Sequence, residues 1–462
     1  MRTTASVRLG GCILMVCLLV DRPGWGQAGS QPNRAEPQNK VSDSDWPQFL
    51  GPHGNGHSDA TGIRTDWSDG NLKTLWHQPL GTGYGIGSEA DGKYYQFDRE
   101  ADQERLRCFD AASGKLIWSE SQPVVYRDMY GYNNGPRSSP VIADGSVFTF
   151  GVAGQLTCRD EQSGAVSWTV DTNKKYGVIQ NFFGVSCSPI VFEDSVIVMV
   201  GGSPPEDQQI AMGALDRVSP NGSAIVAFDV KTGEEKWRAG NYLASYSTPL
   251  VVELQGEQVL LAFVREGLLA IDPSTGNNRW FHPWRSPRLE SVNAALPVVK
   301  GNQILISECY DIGSVFLNAT TDEAEVVWAD NPRSRDKNFR AHWSTPVVID
   351  GALYGCSGRN APDSDFRCID FETGTVHWVD RRRTRSSVLA IDGHLVVLDE
   401  GGRMQLVKAN REALEVVTEI DLGIGAPDRP ALQPPCWAAP IYANGRLYVR
   451  GRDNVICLQL GK

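Results

Sequence analysis

An eleven-residue phrase that recurs five times constrains the fold of this chain more than any other feature. In every copy an Asp is followed three residues later by Ser or Thr, four residues later by Gly and eight residues later by Trp. The copies span residues 108–118, 158–168, 227–237, 270–280 and 368–378, and they contain Asp110, Asp160, Asp229, Asp272 and Asp370. A phrase that returns about every 40–50 residues predicts a repeat protein in which each copy belongs to one structural unit.

Each phrase has the composition of a β-hairpin. The residues before the Asp are apolar, as in Ile225 to Phe228, and they predict a strand. The Asp can accept hydrogen bonds from backbone amides of the following turn, and the Gly tolerates a positive φ. The chain then enters a second strand that carries the Trp. We expect these Trp side chains to pack between neighbouring units, because repeat proteins bury their cores against adjacent repeats.

A second pattern precedes each phrase and completes the unit. A small residue and a Pro are followed by an apolar run, a polar turn and another apolar run, as in residues 138–150 with Asp144 and Gly145 at the turn. An Asp-Gly pair between two apolar runs is a strong hairpin signal. Each unit therefore holds four short strands, which is the arrangement of one propeller blade. The units begin near Gly87, Ser138, Ser186, Ser247, Asn293, Ser344, Ser386 and Ala438.

This count predicts an all-β fold, an eight-bladed β-propeller of four-stranded antiparallel blades. The eighth unit has room for only about three strands before the chain ends at residue 462. An apolar segment near the other end, residues 72–76, carries Trp76 where a fourth strand should place its indole. We therefore expect this N-terminal strand to close the ring, so that no blade edge is left open.

The phrase resembles the repeat of the PQQ-like (pyrroloquinoline-quinone-type) propellers, a family that includes quinoprotein alcohol dehydrogenases and the BamB-type outer-membrane assembly lipoprotein. The resemblance covers residues 70–462, and the segment from Trp46 to Pro52 is similar to the lead-in of many secreted bacterial PQQ-like proteins. Eight blades are what the resemblance implies for the fold. For a dehydrogenase it also implies PQQ with calcium as the cofactor. The repeat itself specifies no activity, because one fold hosts many functions.

Residues 1–28 have the pattern of a secretory signal peptide. Two Arg residues precede an apolar stretch at residues 9–20, and small residues follow it. This stretch is too short to span a membrane. Residues 29–69 are interpreted as a tether and lead-in, and residues 70–462 as the propeller, so we expect a periplasmic or secreted protein. The net charge of −11 argues against nucleic acid as a partner.

Ten Cys are present, and two of them lie in the predicted signal peptide. Cys108, Cys158, Cys368 and Cys457 occupy equivalent strands of different units, where the separation should be too large for a disulfide. Cys356 and Cys368 flank one hairpin and form the only pair that we consider for a disulfide. Otherwise we expect each Cys to serve as a small core residue.

The innermost strand of each blade lines the central channel of a propeller, so the residues just before these strands should surround the channel mouth. They are Tyr84, Arg137, Phe183, Tyr246, Asn293, His342, Trp343, Arg385 and Trp437. Aromatic rings can stack on a flat ligand, and Arg can pair with its carboxylates. The set predicts a site for a small anionic ligand, such as a quinone tricarboxylate or a sugar acid. The alternative is that these side chains and water fill the funnel.

The features of quinone dehydrogenases that the resemblance implies do not align with this chain. It has no adjacent Cys pair and no Cys-x-x-Cys-His haem attachment site. Glu290, Asn293 and Asp311 are isolated candidates, and no Asp, Glu and Asn trio can be matched residue by residue. His53 and His57 lie in a Gly-rich stretch, where loop polarity explains them better than a metal site does. We therefore assign no catalytic or metal-binding residues.

Three hypotheses for the function result. The first is an exported, non-catalytic propeller that binds a small anionic ligand or a protein of the cell envelope. The second is a PQQ-dependent alcohol or sugar dehydrogenase. The third is an envelope assembly factor of the BamB type that uses the long insertion at residues 203–221. We favour the first, which is no enzyme, and we expect a monomer without a membrane span.

Overall fold

The computed structural model describes residues 45–291 and 293–462, so the predicted signal peptide and residues 29–44 of the predicted tether and lead-in lie outside the described residues. The described residues form eight sheets, each with four antiparallel strands, and the sheet of blade seven has a fifth, parallel strand, His57–Ser58. In seven blades the four antiparallel strands follow chain order from the innermost to the outermost, whereas blade eight takes its outermost strand from the N-terminal part of the chain. This confirms the predicted eight-bladed propeller and its all-β class. We number the blades from one to eight, beginning with the blade whose innermost strand is Ser88–Ala90. No helix in this part of the chain is both long and apolar enough to cross a membrane.

The strands are short and evenly distributed around the ring. The innermost strands are Ser88–Ala90, Val141–Ala143, Ile190–Phe192, Leu250–Leu254, Val298–Lys300, Val347–Ile349, Ser386–Ile391 and Ile441–Ala443. The second strands are Lys93–Glu100, Ser146–Phe150, Ser195–Met199, Glu257–Val264, Gln303–Glu308, Ala352–Ser357, His394–Asp399 and Arg446–Arg450. The third strands are Gln103–Asp110, Gln155–Asp160, Ile225–Asp229, Gly267–Ile271, Gly313–Ala319, Asp365–Asp370, Arg403–Lys408 and Asn454–Gln459.

The outermost strands and a few small elements complete the fold. The outermost strands are Leu116–Pro123, Val166–Asp171, Glu235–Ala239, Asn278–Pro283, Ala324–Ala329, Val376–Asp380, Glu415–Asp421 and, in blade eight, Thr74–Pro79. The small elements are the strand His57–Ser58, the α-helix Thr172–Tyr176 and the 3-10 helices Ser68–Gly70, Pro205–Gln209 and Leu215–Arg217.

The N-terminal strand closes the ring as predicted. Thr74–Pro79 pairs antiparallel with Asn454–Gln459, and Trp76 lies opposite Cys457. The outermost strand of blade eight therefore comes from the opposite end of the chain. The closure begins two residues later than the predicted segment, and Leu72 is buried just before the strand.

The recurring phrase and its Trp join neighbouring blades. In blade one, Asp110 accepts hydrogen bonds from the backbone amide and hydroxyl of Ser113, at 2.8 and 2.5 Å. Gly114 has a φ of 68°, and a Cβ there would lie 2.6 Å from the Trp76 ring of blade eight. The Trp76 indole also donates a hydrogen bond of 2.9 Å to the carbonyl of Ala111. The same donation runs from Trp118 to Glu161, from Trp168 to Val230, from Trp280 to Thr320 and from Trp378 to Asn410. The expected packing of the Trp residues between blades is confirmed.

A β-bulge marks the outermost strand of every blade. The register between the third and outermost strands shifts by one residue at this point in all eight described blades. In blade three the shift falls between Ala227 and Phe228, and Lys236 is the extra residue beside Trp237. A bulge twists an exposed edge strand, which disfavours pairing with the edge of another sheet.

All eight Cys of the described residues are buried and free. Cys356 lies opposite Phe366 in the ladder of blade six, whereas Cys368 lies opposite Tyr354. The disulfide considered between Cys356 and Cys368 is therefore wrong, because the two residues are offset along the ladder and do not face each other. The buried thiols serve as small core residues, as expected for unpaired Cys.

The lead-in at residues 45–58 crosses the channel, and we name it the plug. Trp46 forms an antiparallel bridge with Glu89 of blade one. The carbonyl of Pro47 accepts a hydrogen bond of 2.9 Å from Ile142 of blade two, and His57–Ser58 runs parallel to the innermost strand of blade seven. Because these contacts reach innermost strands around the ring, the plug fills the channel below its mouth.

Candidate functional site

The channel mouth contains a cavity of about 730 Å³ above the plug. This volume lies within the range of about 300–1,000 Å³ that is typical of small-molecule sites. Phe49 and Leu50 of the plug contribute to its wall. Eight of the nine predicted mouth residues line it together: Tyr84, Arg137, Phe183, Tyr246, His342, Trp343, Arg385 and Trp437. The structure thus brings these residues together, while their role in binding a ligand stays a prediction.

Asn293 is the predicted residue that does not line the cavity. Its side-chain amide donates a hydrogen bond of 2.8 Å to the carbonyl of Val264. Its backbone carbonyl accepts hydrogen bonds from the amides of Tyr246 and Ser247, at 3.0 and 3.2 Å. Asn293 is therefore buried as a structural link between blades four and five, and the neighbouring Ala294 lines the cavity.

Several lining residues were missed because they belong to longer loops. Tyr130 and Tyr132 come from the connection between blades one and two, and Phe182 precedes blade three. Arg359 follows the second strand of blade six. The rule applied to the sequence considered only the residue just before each innermost strand. A Tyr-rich connection and a loop Arg at the same end of the ring are the signals that could have found them.

Arg385 is held between two indole rings. Its guanidinium carbon lies 4.7 Å from the ring centroid of Trp437 and 5.0 Å from that of Trp343. Its Nη2 and Nε donate to Oε2 of Glu400 at 2.6 and 2.9 Å, and the Trp437 indole donates to the same oxygen at 3.1 Å. The pair is half-buried. Glu400 thus neutralises Arg385 and fixes the orientation of Trp437.

Arg137 is likewise held between aromatic rings and a carboxylate. Its guanidinium carbon lies 5.4 Å from the Phe183 centroid and 5.8 Å from the Tyr84 centroid. Its Nη2 donates to Asp128 at 2.7 Å, and its Nη1 donates to the carbonyl of Phe183 at 2.8 Å. Asp128 is completely buried. Arg137 is therefore also neutralised within the protein, and its Nη1 and Nη2 atoms already donate hydrogen bonds to protein oxygens.

Arg359 differs from these two residues. Its guanidinium carbon lies 4.8 Å from the Tyr310 centroid, and it forms no ion pair with any residue that the structure describes. Glu290 lines the same cavity and is likewise not ion-paired within the described ranges. Among the described lining residues, the mouth therefore offers one free cation and one free carboxylate to a ligand, beside two arginines that are already paired.

His342 contacts both Trp343, which packs against Arg385, and Tyr310, which packs against Arg359. Its ring centroid is 4.9 Å from that of Trp343, and its Nε2 is 3.4 Å from the Tyr310 hydroxyl. Burial is the main cause that lowers the pKa of His342 to about 3, and the charges of Arg385 and Arg359 are smaller causes in the same direction. The imidazole is therefore neutral near pH 7, and a group with such a low pKa is a weak general base.

Some hydrogen-bonding capacity at the cavity is unused. The hydroxyl of Ser186, the Nδ1 of His342 and the indole nitrogen of Trp343 are buried and have no hydrogen-bond partner in the part of the chain that the structure describes. Buried polar atoms are normally paired, with protein or with water. These three atoms are enclosed by protein, so a ligand in the cavity would reach them only if neighbouring side chains moved.

The donor set does not fit a metal-bound quinone tricarboxylate. Three carboxylates require a surplus of cations, whereas two of the three lining arginines are neutralised by Asp128 and Glu400. Asp311, a candidate acid, is paired with Arg288 at 2.5 Å. The described ranges contain no cluster of three His, Cys, Asp or Glu that could hold a metal, and His53 contacts Asp59 at 2.7 Å.

The eight four-stranded blades and their recurring phrase define the chain as an eight-bladed PQQ-like propeller. A family model described as "Outer membrane protein assembly factor BamB" matches residues 68–202 and 102–380, which together span more than half of the chain. The chain belongs to this family.

The curated relatives include the dehydrogenase subunit of a quinone alcohol dehydrogenase from Gluconacetobacter polyoxogenes, which is 28% identical over 176 residues. A subunit of the same description from Gluconobacter oxydans is 27% identical over 176 residues. Each match covers 37% of this chain and only 21% of the relative. The chain therefore spans about a fifth of the length of these relatives, and their activity does not transfer to it directly.

Solved structures show the same fold at low identity. BamB from Moraxella catarrhalis superposes with a TM-score of 0.56 at 15% identity, over 84% of this chain and 98% of that one. The quinohemoprotein alcohol dehydrogenase of Comamonas testosteroni gives a TM-score of 0.62 at 13% identity, over 91% of this chain and 81% of that one. At these identities the likeness concerns the fold alone.

Proposed function

We propose that this chain is a non-catalytic binding protein that holds a small ligand in the mouth cavity. The observation that carries the proposal is the aromatic cavity above the plug, in which Arg385 and Arg137 are fixed by internal carboxylates. Such arginines hold the surrounding rings in place. A preformed wall of this kind favours binding, because little side-chain freedom is lost when the ligand enters.

The absence of an acid-base arrangement supports binding over catalysis. His342 has too low a pKa to accept a proton readily near pH 7. The Cys309 thiol, beside the lining residue Tyr310, is buried, and burial raises its pKa well above the usual value. A thiol in that state is a poor nucleophile. No pair of nucleophile and base among the described lining residues therefore suggests a reaction.

Reconstitution with the cofactor of the dehydrogenase relatives tests this proposal. Purified protein is mixed with pyrroloquinoline quinone and Ca²⁺, separated from free quinone, and assayed for cofactor absorbance and alcohol-dependent dye reduction. We expect dye reduction no faster than in the protein-free mixture. Stoichiometric quinone that reduces dye only when alcohol is present would overturn the proposal and establish a dehydrogenase.

We also propose that the protein acts in the periplasm or outside the cell. The apolar stretch at residues 9–20, preceded by Arg residues and followed by small ones, supports export. Fractionation of cells that express the full chain checks this, with removal of residues 1–28 as the matched control. The full chain should leave the cytoplasm and lose about 28 residues, and retention of the intact chain in the cytoplasm would contradict export.

A second candidate, an envelope scaffold, is favoured by an exposed apolar surface near the mouth. Val125 is 97% exposed and Tyr132 is 62% exposed, both in the connection between blades one and two. Exposed apolar patches commonly mark interaction sites. The insertion at residues 203–221 is less available, because Asp216 pairs with Arg265 at 2.9 Å and with Arg285 at 3.2 Å.

A capture experiment separates the scaffold from the first proposal. Envelope extracts are passed over immobilised wild type, over Val125→Asp with Tyr132→Asp, and over Val327→Asp, whose side chain is 57% exposed on an outermost strand. A scaffold should lose a defined partner only with the first variant. Identical capture by all three proteins would show that the connection between blades one and two does not bind the partner.

A further inference from the structure

The charges at the mouth cavity balance in pairs. Arg137 is matched by Asp128 and Arg385 by Glu400, at 2.7 and 2.6 Å. Among the lining residues that the structure describes, the remaining cation, Arg359, faces the same cavity as the remaining carboxylate, Glu290. A ligand with several negative charges would therefore meet no net positive field, and a cationic ligand would meet no net negative field. The balance favours an uncharged ligand over the anionic one that the sequence predicts.

Three aromatic rings form a cluster in the wall of the cavity. Trp343 and Trp437 have centroids 5.3 Å apart, and Tyr84 lies 4.9 Å from Trp437. The face of an aromatic ring carries negative charge density, which attracts the weakly positive C–H groups on the flat face of a sugar ring. Because Arg385 contacts both indoles, these rings are held in a fixed arrangement.

Polar groups beside the rings suit hydroxyl groups. Arg359 can only donate hydrogen bonds and an ionised Glu290 can only accept them, whereas a sugar hydroxyl does both. Both residues affect the pKa of the Tyr310 phenol. Burial is the main cause of the raised pKa, while Glu290 also raises it and Arg359 lowers it.

From these observations we infer that the mouth cavity binds an uncharged oligosaccharide with flat ring faces, stacked on Trp343 and Trp437 and hydrogen-bonded by Arg359 and Glu290. The inference rests on the proposed binding function and narrows it to a ligand class. It assigns the four side chains to recognition and leaves Arg385 and Glu400 as positioning residues that hold the indoles.

Titration calorimetry with defined sugars tests the inference. The probes are cellotetraose and xylotetraose, which are uncharged, and trigalacturonate, which is anionic. We expect at least one uncharged probe to bind, with an affinity that changes less than about twofold between 50 and 500 mM NaCl, because screening acts on charged ligands. Trigalacturonate should bind at least about tenfold more weakly than that probe, since the site has no surplus cation.

Paired variants locate the site. Trp343→Ala should lower the affinity at least about tenfold, as expected for a buried aromatic contact. Arg359→Gln and Glu290→Gln should each lower it about threefold to tenfold, in line with the loss of one hydrogen bond. The control Arg382→Gln, at a side chain that is 89% exposed, should leave it unchanged. The unfolding temperature of each variant shows whether the fold is retained.

The possible outcomes separate the inference from the proposed function. Binding of neither uncharged probe, or tighter binding of trigalacturonate, overturns the inference and leaves a binding protein with another ligand class. Equal affinities of wild type and Trp343→Ala, in a folded variant, overturn the assigned site. Alcohol-dependent dye reduction after quinone reconstitution overturns the proposed function itself.

Discussion

Trp76 donates a hydrogen bond of 2.9 Å to the carbonyl of Ala111 and thereby joins the first strand of the ring to blade one. Trp76 belongs to the outermost strand of blade eight, whose other three strands come from the C-terminal end of the chain. Its ring also lies 5.7 Å from Tyr94 and 5.6 Å from Tyr448. The contact that closes the ring is thus the same Trp-to-carbonyl hydrogen bond that links four other pairs of blades.

Replacement of Trp76 by Ala should weaken the closure of the ring. Trp76 is only 7% exposed, and loss of a large buried aromatic side chain costs about 3–5 kcal/mol. We expect Trp76→Ala to lower the free energy of unfolding by that amount, as measured by urea denaturation. The neighbouring Leu75 is 40% exposed, so Leu75→Ala should cost less than about 1 kcal/mol. Equal losses for the two variants would contradict the closure.

The packing of the plug can be tested at Gly51, with Gly62, which lies outside the plug, as the control. Gly51 has a φ of 85°, and a Cβ there would lie 2.9 Å from the Trp46 ring. Gly62 also has a positive φ of 73°, but a Cβ there would meet no atom within 4 Å. Gly62→Ala should cost about 1–2 kcal/mol for its conformation alone.

Gly51→Ala should lower the free energy of unfolding more than Gly62→Ala, because Trp46 must move in addition. Proteolysis under native conditions should then cut within residues 45–58 sooner in Gly51→Ala than in Gly62→Ala. Equal stability and equal cleavage rates in the two variants would show that the plug does not depend on this contact.

The blade frame was predictable from sequence because its requirements are local. Asp, Gly and Trp at fixed spacing are needed for one turn and one inter-blade contact, as in Asp110, Gly114 and Trp118. Blade seven has lost this phrase, yet Arg403–Lys408 and Glu415–Asp421 still pair, because their apolar pattern suffices for strands. The plug could not be predicted, since its Gly-rich segment has no periodicity and depends on contacts with strands far along the chain.

Glu308 should make stability depend on pH. It is only 1% exposed, and neither carboxylate oxygen has a hydrogen-bond partner among the residues that are described. Burial raises the pKa of Glu308 to about 8, from an ordinary value of 4.5. Because the folded state holds this proton more tightly than the unfolded state, its contribution is complete below pH 4.5 and is lost as the pH rises towards 8.

The variant Glu308→Gln keeps the side-chain shape without the charge. Its stability relative to wild type should therefore increase by about 1.4 kcal/mol for each pH unit between the two pKa values. Urea denaturation of both proteins at pH 5.5 and pH 7.5 measures this difference. The same relative stability at both pH values would show that Glu308 is ionised in the folded protein.

The thiols of the described blades should be unreactive in the folded protein. Burial raises the pKa of Cys187 and of Cys436 to about 12, and that of Cys356 to about 11. Alkylation at pH 8 followed by peptide mass spectrometry should leave these sites unmodified until urea is added. Dithiothreitol should not change the unfolding temperature, whereas a lower temperature in its presence would indicate a disulfide that the structure lacks.

The mouth was partly predictable because position before an innermost strand places a side chain at the channel. That rule found Trp343, Arg385 and Trp437. It could not show that Arg385 is neutralised, because Glu400 comes from the turn after the second strand of blade seven and meets it only in the folded blade. The sequence therefore indicated an anionic ligand, whereas the paired charges favour an uncharged one.

The measurement that tests the central claim most directly is an indole N–H NMR titration of ¹⁵N-Trp-labelled protein with cellotetraose, xylotetraose, trigalacturonate and pyrroloquinoline quinone. The signals of Trp343 and Trp437 are assigned with Trp343→Phe and Trp437→Phe, and Trp118, packed between blades, serves as the internal reference. The account predicts that a bound ligand shifts Trp343 and Trp437 and leaves Trp118 unchanged. Saturable binding that shifts Trp118 but neither mouth indole would contradict it.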